Sequence, residues 1–517
     1  MTPFNSRLAG MLLHPTSLPG PHGSGDLGPD AFHFVDWLLS AGLNVWQVLP
    51  LAPPGPGNSP YASVSAFAGS PLLVALEPLI EKAWLAAPAA QETSGFDAQR
   101  LDFTSVAPWR MDKLRSAQLG FERHASASDR LLFTSFCAAQ AHWLDDYALF
   151  MALDQHFRAQ GIWSWAHWDA PLARRESVAL AGARMRHATD TRFWQFVQWC
   201  FFEQWTALKR YANVRGVHLI GDLPIFVAHH SADCWAHRDL FQLDEHLEPQ
   251  VVAGVPPDFF SATGQRWGNP LYNWSAMQRN GFAWWIARMQ HELQRADMVR
   301  VDHFRGFAGY WEIPASCPTA IEGRWVDAPG QALFETLLAA LGSMPVIAED
   351  LGLITPDVEM LRDGFGLPGM KILQFAFGGD ADHAFLPHNF DSNCCVYTGT
   401  HDNDTARGWW HGATQRERQY ASTYLGTSAE NVHWAMIRAA WASVAKLAVC
   451  QMQDALGLGS DHRMNTPGLL GCWTWRFDWR QVGPEPALRL AELGAAYGRA
   501  PIDRLGLQPY PSNKPLP

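Results

Sequence analysis

Residues 298–306 read MVRVDHFRG: a short apolar run that ends abruptly in charge. Seven other segments do the same. They are GMLLHPTSL (10–18), NVWQVLP (44–50), VHLIGDLPIFV (217–227), PVIAEDLG (345–352), GMKILQFAF (369–377), CCVYTGTHDND (394–404) and KLAVCQMQD (446–454). Strands of a parallel sheet covered on both faces are apolar throughout rather than alternating. Helical patterns lie between many of these runs. Eight buried strands separated by helices predict an α/β fold, a (β/α)8 barrel. In that fold the strand C-termini carry the chemistry, and the polar bursts fall at those ends.

The spacing is uneven. One catalytic barrel spanning 1–517 would hold two large insertions, 51–212 after the second strand and 228–295 between the third and fourth. The first opens with PLAPPGPGNSPYASVSAFAGSP (50–71), a loop by composition. It continues through FCAAQAHWLDDYALFMALDQHF (136–157) and FWQFVQWCFFEQWTALKRYA (193–212), whose aromatics recur at helical spacing. These stripes read as helix packing, so the inserted subdomains should be largely helical. The second insertion contains AGVPPDFFSATGQRWGNPLY (253–272), which reads as a loop and a platform on which flat rings could stack. The tail PYPSNKPLP reads as a fraying end.

Composition excludes several functions. The net charge is −11 and no basic block occurs, which argues against nucleic acid and anionic membrane as partners. A neutral substrate fits better, and 25 tryptophans suit stacking on bases or sugar faces. Eight cysteines are scattered without a C-x-x-C pair, so a zinc ribbon or thioredoxin-type site is unsupported. Scattered thiols, no recognisable signal sequence and no apolar run of membrane-spanning length predict a cytoplasmic protein. Gly364, Gly366 and Gly369 spell G-x-G-x-x-G, but a helical stretch precedes them and a strand follows, the reverse of a dinucleotide site. Asp380 and Asp382 resemble a calcium loop, yet Phe385 stands where its glycine belongs. No metal and no cofactor are expected.

The acids remain. Asp302 ends the fourth run, Glu349 the fifth and Asp402 the seventh. Any one of them reads equally as a helix cap or half of an ion pair. Three on one barrel rim must converge, and converging carboxylates are what glycosidic bond cleavage needs. One acid must be ionised and another protonated. Arg300 and Asp302 share a strand face, so the guanidinium is expected to lower the Asp302 pKa. Glu349 follows Val346, Ile347 and Ala348, an apolar approach that should raise its own. His401 and Asp402 could hold ring hydroxyls.

The chain resembles the 4-α-glucanotransferases, the amylomaltases or disproportionating enzymes of the α-amylase clan. The resemblance rests on HPTSLPG (14–20), NSPYASVSAFAG (58–69), GDLPIFVAHHSADCW (221–235), the 253–272 segment, RVDHFRG, AEDLG, TGTHDNDT (398–405) and LGLGSDHRMNTPG (456–468). It implies a (β/α)8 barrel that moves α-1,4-glucan segments among maltooligosaccharides, with glucose as an acceptor and no cofactor. It implies Asp302 as nucleophile, Glu349 as acid/base and Asp402 as transition-state stabiliser, with Arg300 and His401 in support. Asp222 sits where the clan keeps another sugar-site acid, or braces Arg300. Ser59, Tyr61, Phe260, Gln265, Trp267 and Asn465 match glucan-contacting segments. Two positions depart from the pattern: Phe259 stands where tyrosine is usual, and His230 where aspartate is common. An α-amylase-like hydrolase uses the same acids, and a silent glucan-binding protein should lack at least one of them.

Overall fold

The computed structural model describes residues 7–88, 90–93, 95–257 and 261–500. Twelve strands occur among them: β1 (Leu8–Leu12), β2 (Val45–Gln47), β3 (His218–Leu223), β4 (Val251–Val255), β5 (Gln265–Pro270), β6 (Met298–Val301), β7 (Gly309–Pro314), β8 (Arg324–Asp327), β9 (Val346–Ala348), β10 (Gly369–Ile372), β11 (Cys394–Tyr397) and β12 (Leu447–Gln451). Eight form one parallel sheet in the order β10-β11-β12-β1-β2-β3-β6-β9. The Ala348 amide donates to the Pro368 carbonyl at 2.9 Å, just ahead of β10, and closes the sheet into a barrel. Each apolar run supplies one barrel strand.

The strands are apolar because the barrel interior and the surrounding helices leave them no water. Every residue of β1, β2, β6, β9, β11 and β12 is buried. Two of the polar exceptions are partnered within. Tyr397 donates its hydroxyl to Gln47 Oε1 at 2.9 Å, and the Trp46 indole donates to the Leu13 carbonyl at 2.8 Å. At Gly10 of β1 a Cβ would lie 2.7 Å from that of Val45 on β2, so only glycine permits this approach.

Between β2 and β3 run three long helices, Phe103–His124, Ala127–Arg158 and Ala188–Val214. The aromatic stripes lie on the latter two. Trp143, Tyr147, Phe150 and Phe157 are buried in the core, while Phe136 and Met151 pack at its edge. Ser126 caps its helix by accepting from the Asp129 amide at 3.0 Å.

A second sheet was not legible in the sequence. It is antiparallel, ordered β5-β4-β7-β8, and joins chain from before and after β6. The 253–272 segment, expected to be a loop, contains most of β4 and all of β5. Its strands are short and its outer ones largely exposed, so neither an apolar run nor clean alternation marks them.

Candidate active site

The site begins at the end of β6. Arg300 is buried there, with Asp302 two residues on. Asp302 donates its amide to the Leu223 carbonyl of β3 at 3.0 Å, extending the ladder one residue beyond the strand. His303 then turns into the left-handed region (φ 51°) and opens the short helical turn Phe304–Phe307. Glu349 straddles this turn from β9. Its amide donates to Val301 at 3.1 Å, and its carbonyl accepts from Phe304 at 3.0 Å. Backbone pairing therefore sets Glu349 against Asp302.

Charge is arranged in depth. Arg300 and Asp222 are the floor, with side chains 5% and 0% exposed. Arg300 Nη1 donates to both Asp222 oxygens at 2.8 and 2.9 Å, and Nη2 pairs with Asp302 Oδ1 at 2.9 Å. Asp302 and Asp402 are 29% and 44% exposed and face the open cleft above. Tyr61 bridges the floor to the far wall. Its hydroxyl donates to Asp222 Oδ2 at 2.7 Å, and its ring stacks on His401 at 5.0 Å. Ser59 accepts from the Tyr61 amide at 3.2 Å, so its hydroxyl positions that ring.

Asp402 sits in the turn after β11. Its Oδ1 takes the Asn465 amide at 2.6 Å and faces His401 Nε2 at 3.3 Å. Its carbonyl accepts from Arg463. Gln265 and Trp267 lie on exposed β5, where the indole donates to Gln265 Oε1 at 3.1 Å. The Trp267 ring meets His303 edge-on at 4.7 Å, which brings the outer sheet to the turn beside Glu349. Phe259 and Phe260 lie outside the described residues. His230 is engaged elsewhere, with Nε2 2.7 Å from Asp154 Oδ1.

Ionisation follows from these contacts. Burial pushes Glu349 up, Arg300 opposes this, and negative Asp302 adds to it, leaving the carboxyl at about 7. Two amides, His303 at 2.6 Å and Leu351 at 3.1 Å, each take one of its oxygens. Desolvation would also raise Asp402, but His401 and the hydrogen bonds from His401 and Asn465 prevail and hold it well below the usual carboxylate range. The same pairing raises His401 against the opposing effect of burial. Asp302 corrects the expectation from sequence. Burial raises its pKa, and Arg300 does not overcome this, because Asp222 and Asp402 push the same way. Arg300 still favours the charged form of Asp302 by direct contact at 2.9 Å, whereas Glu349 is pushed up to about 7.

Residues that sequence reading passed over complete the site. The His303 and Leu351 amides hold Glu349, Arg463 holds the Asp402 turn, and Trp473 packs 5.8 Å from Tyr61 and 5.7 Å from His401. His303 and Arg463 were visible inside quoted motifs. Trp473 had no signal among so many tryptophans. Arg305, unexplained by sequence, donates to the Leu353 carbonyl and lies 3.8 Å over the Trp325 ring, bracing the loop after Glu349 on the outer sheet.

A closed barrel presenting three converging carboxyls at its strand C-termini, one of them raised to about 7, belongs to the class of glycosidic-bond enzymes. The comparisons with known proteins make this specific. The glycoside hydrolase 77 family model, described as 4-alpha-glucanotransferase, matches residues 13–481. The chain belongs to that family and is a transferase. The 4-alpha-glucanotransferase of Thermus thermophilus is 50% identical over 95% of this chain and 99% of its own length. That of Synechocystis is 46% identical, covering 96% and 99%. An amylomaltase from Streptococcus agalactiae, solved in complex with acarbose, superposes with a TM-score of 0.90 at 36% identity, covering 96% of this chain and all of that one.

Proposed function

We propose that Asp302 and Glu349 carry out a retaining double displacement on α-1,4-glucans. An Asp302 oxygen attacks the anomeric carbon while Glu349 gives its proton to the departing 4-oxygen. A covalent glycosyl-enzyme results. Glu349, now a carboxylate, takes the proton from the 4-hydroxyl of an incoming glucan or glucose. That oxygen attacks the anomeric carbon and frees Asp302. Asp402 stays ionised throughout, and its Oδ2 is available to ring hydroxyls as positive charge develops on the sugar. The observation that carries this reading is the Glu349 carboxyl at about 7 beside an Asp302 paired to Arg300 at 2.9 Å. A general acid that must become a base works best near the ambient pH.

Arg300, His401, Asp222 and Tyr61 brace the charged groups, and Ser59 and Asn465 position Tyr61 and Asp402. Trp267 and Gln265, with Phe260, receive the glucan on the 253–272 segment. That segment excludes water and aligns the acceptor, which favours transfer over hydrolysis. The molecule is read as one catalytic barrel over 1–517 with insertions at 51–212 and 228–295. Eight free cysteines fit a reducing compartment, the cytoplasm. Among the described residues no helix is long and apolar enough to cross a membrane.

Maltotriose separates the outcomes. The expected products are glucose together with chains longer than the substrate. Glucose and maltose alone would show hydrolysis and reject transfer.

A further inference from the structure

The chain that brings Tyr61 to the cleft continues through Ser65 to Phe67, and there it borders a second recess of about 250 Å³. The recess is not part of the site described above. Its walls come from the helix Ala127–Arg158, the short helix Ala232–Ala236 and the helix Ala283–Arg295. At roughly 30 Å³ per water it has room for about eight, enough for one six-membered sugar ring and too little for several.

Of the rings that line it, Phe67, Trp143 and Trp284 stand in two orientations. Phe67 lies nearly parallel to Trp143 at 6.2 Å, and Trp284 stands edge-on to Phe67 at the same distance. Two polar atoms on the lining residues are buried without a hydrogen-bond partner: the Trp284 indole nitrogen and Asp146 Oδ1. Trp284 is 5% exposed. A buried donor or acceptor left unpaired is unfavourable by roughly 1–3 kcal/mol, so each needs an explanation. The indole is an orphan donor, and Asp146 Oδ1 has only the Arg184 guanidinium at 3.7 Å, beyond hydrogen-bond reach, so it can still accept. A hydroxyl accepts and donates at once, so a ring bearing several can satisfy both.

The charge balance selects a neutral ligand. Asp146 is offset by Arg175 at 2.8 Å and Arg184 at 3.7 Å, leaving no surplus negative charge to draw a cation. The second acid of the recess, Asp233, accepts from the Ala66 amide at 2.7 Å, and burial favours its neutral form. Aromatic faces suit the C–H side of a sugar ring.

We propose that this recess is a second carbohydrate site, taking one glucosyl unit of an α-1,4-glucan away from the bond being broken. The choice of glucan as the sugar rests on the proposed function. The placement is useful for long chains, because a glucan anchored there stays at high effective concentration between turnovers.

The test uses the full chain as Asp302→Asn, which binds without turning over. Calorimetric titration with maltotriose should resolve two classes of site. Adding Ala287→Trp, which fills the recess, should abolish one class and leave the other within twofold. Trp284→Phe, which removes only the indole N–H, should weaken the same class at least fivefold. A single class in Asp302→Asn overturns the proposal, as does survival of both classes unchanged in the two folded double variants. Ala287→Trp with Asp302 intact should disproportionate maltotriose at the parental rate. If the parent itself fails that assay the proposed function falls, while the count of binding classes still decides the recess.

Discussion

At the residue scale the site turns on one guanidinium shared by two acids. The strand period shows that Arg300 and Asp302 share a face, and the structure pairs them at 2.9 Å. Asp222, 78 residues earlier and read from the resemblance as one possible brace for Arg300, takes the other half of the same charge. Arg300 is therefore divided, and burial decides the direction for Asp302. Glu349 makes no ion pair among the described residues, whereas Asp302 contacts Arg300 directly, so Asp302 is the better placed of the two to be charged. Two outcomes follow. Asp302→Asn should lower maltotriose turnover by roughly 10⁴-fold or more, as loss of a covalent nucleophile does, with binding retained. The pH profile of kcat/KM should be a bell. Its alkaline limb falls through about 7, where Glu349 loses the proton it must donate, and its acid limb falls as Asp302 gains one. A profile still rising at pH 8.5 would remove Glu349 from the acid role.

At the element scale the eight barrel strands were legible because burial on both faces forces apolar runs, and the polar residues just past them marked the rim. The antiparallel sheet was hidden for the opposite reason. QRWGNP of β5 and RWVD of β8 are solvated, so nothing selects their residues for apolar character. Another device invisible in the sequence holds the loop after β2. Gln198 on the helix Ala188–Val214 accepts from the Gly69 amide at 2.7 Å and donates to its carbonyl at 2.8 Å. Gln204 does the same for Ala75, at 2.8 and 3.0 Å. Two side-chain amides thus replace a strand partner for the segment that leads away from Tyr61. The fit is tight, since a Cβ on Gly69 would lie 2.1 Å from the Phe201 ring. Gln198→Leu keeps the volume and orphans two buried backbone groups. Urea denaturation should show a loss of about 2–4 kcal/mol. A loss below 0.5 kcal/mol would mean that water replaces the clamp.

At the scale of the whole molecule, the protonation that serves catalysis works against the fold. Glu349 titrates near 4.5 in an unfolded chain and at about 7 in the folded one. Between those values the native state holds the extra proton, so folding stability falls as pH rises through that window. At pH 8 the folded protein carries a buried carboxylate that the unfolded chain would solvate freely. The full difference is roughly 3 kcal/mol. Glu349→Gln removes the titration and keeps the shape. It can no longer accept from both the His303 and Leu351 amides, a loss of about 1 kcal/mol at every pH. The variant should therefore be slightly less stable than the parent at pH 4, where both are uncharged at this position. It should be more stable by about 2 kcal/mol at pH 8, while inactive at both. Denaturant midpoints of the two proteins across pH 4–8 measure this directly, because every other titrating group is common to both. A stability difference that stays flat with pH would place the Glu349 pKa near its ordinary value, and the acid/base assignment would lose its physical basis.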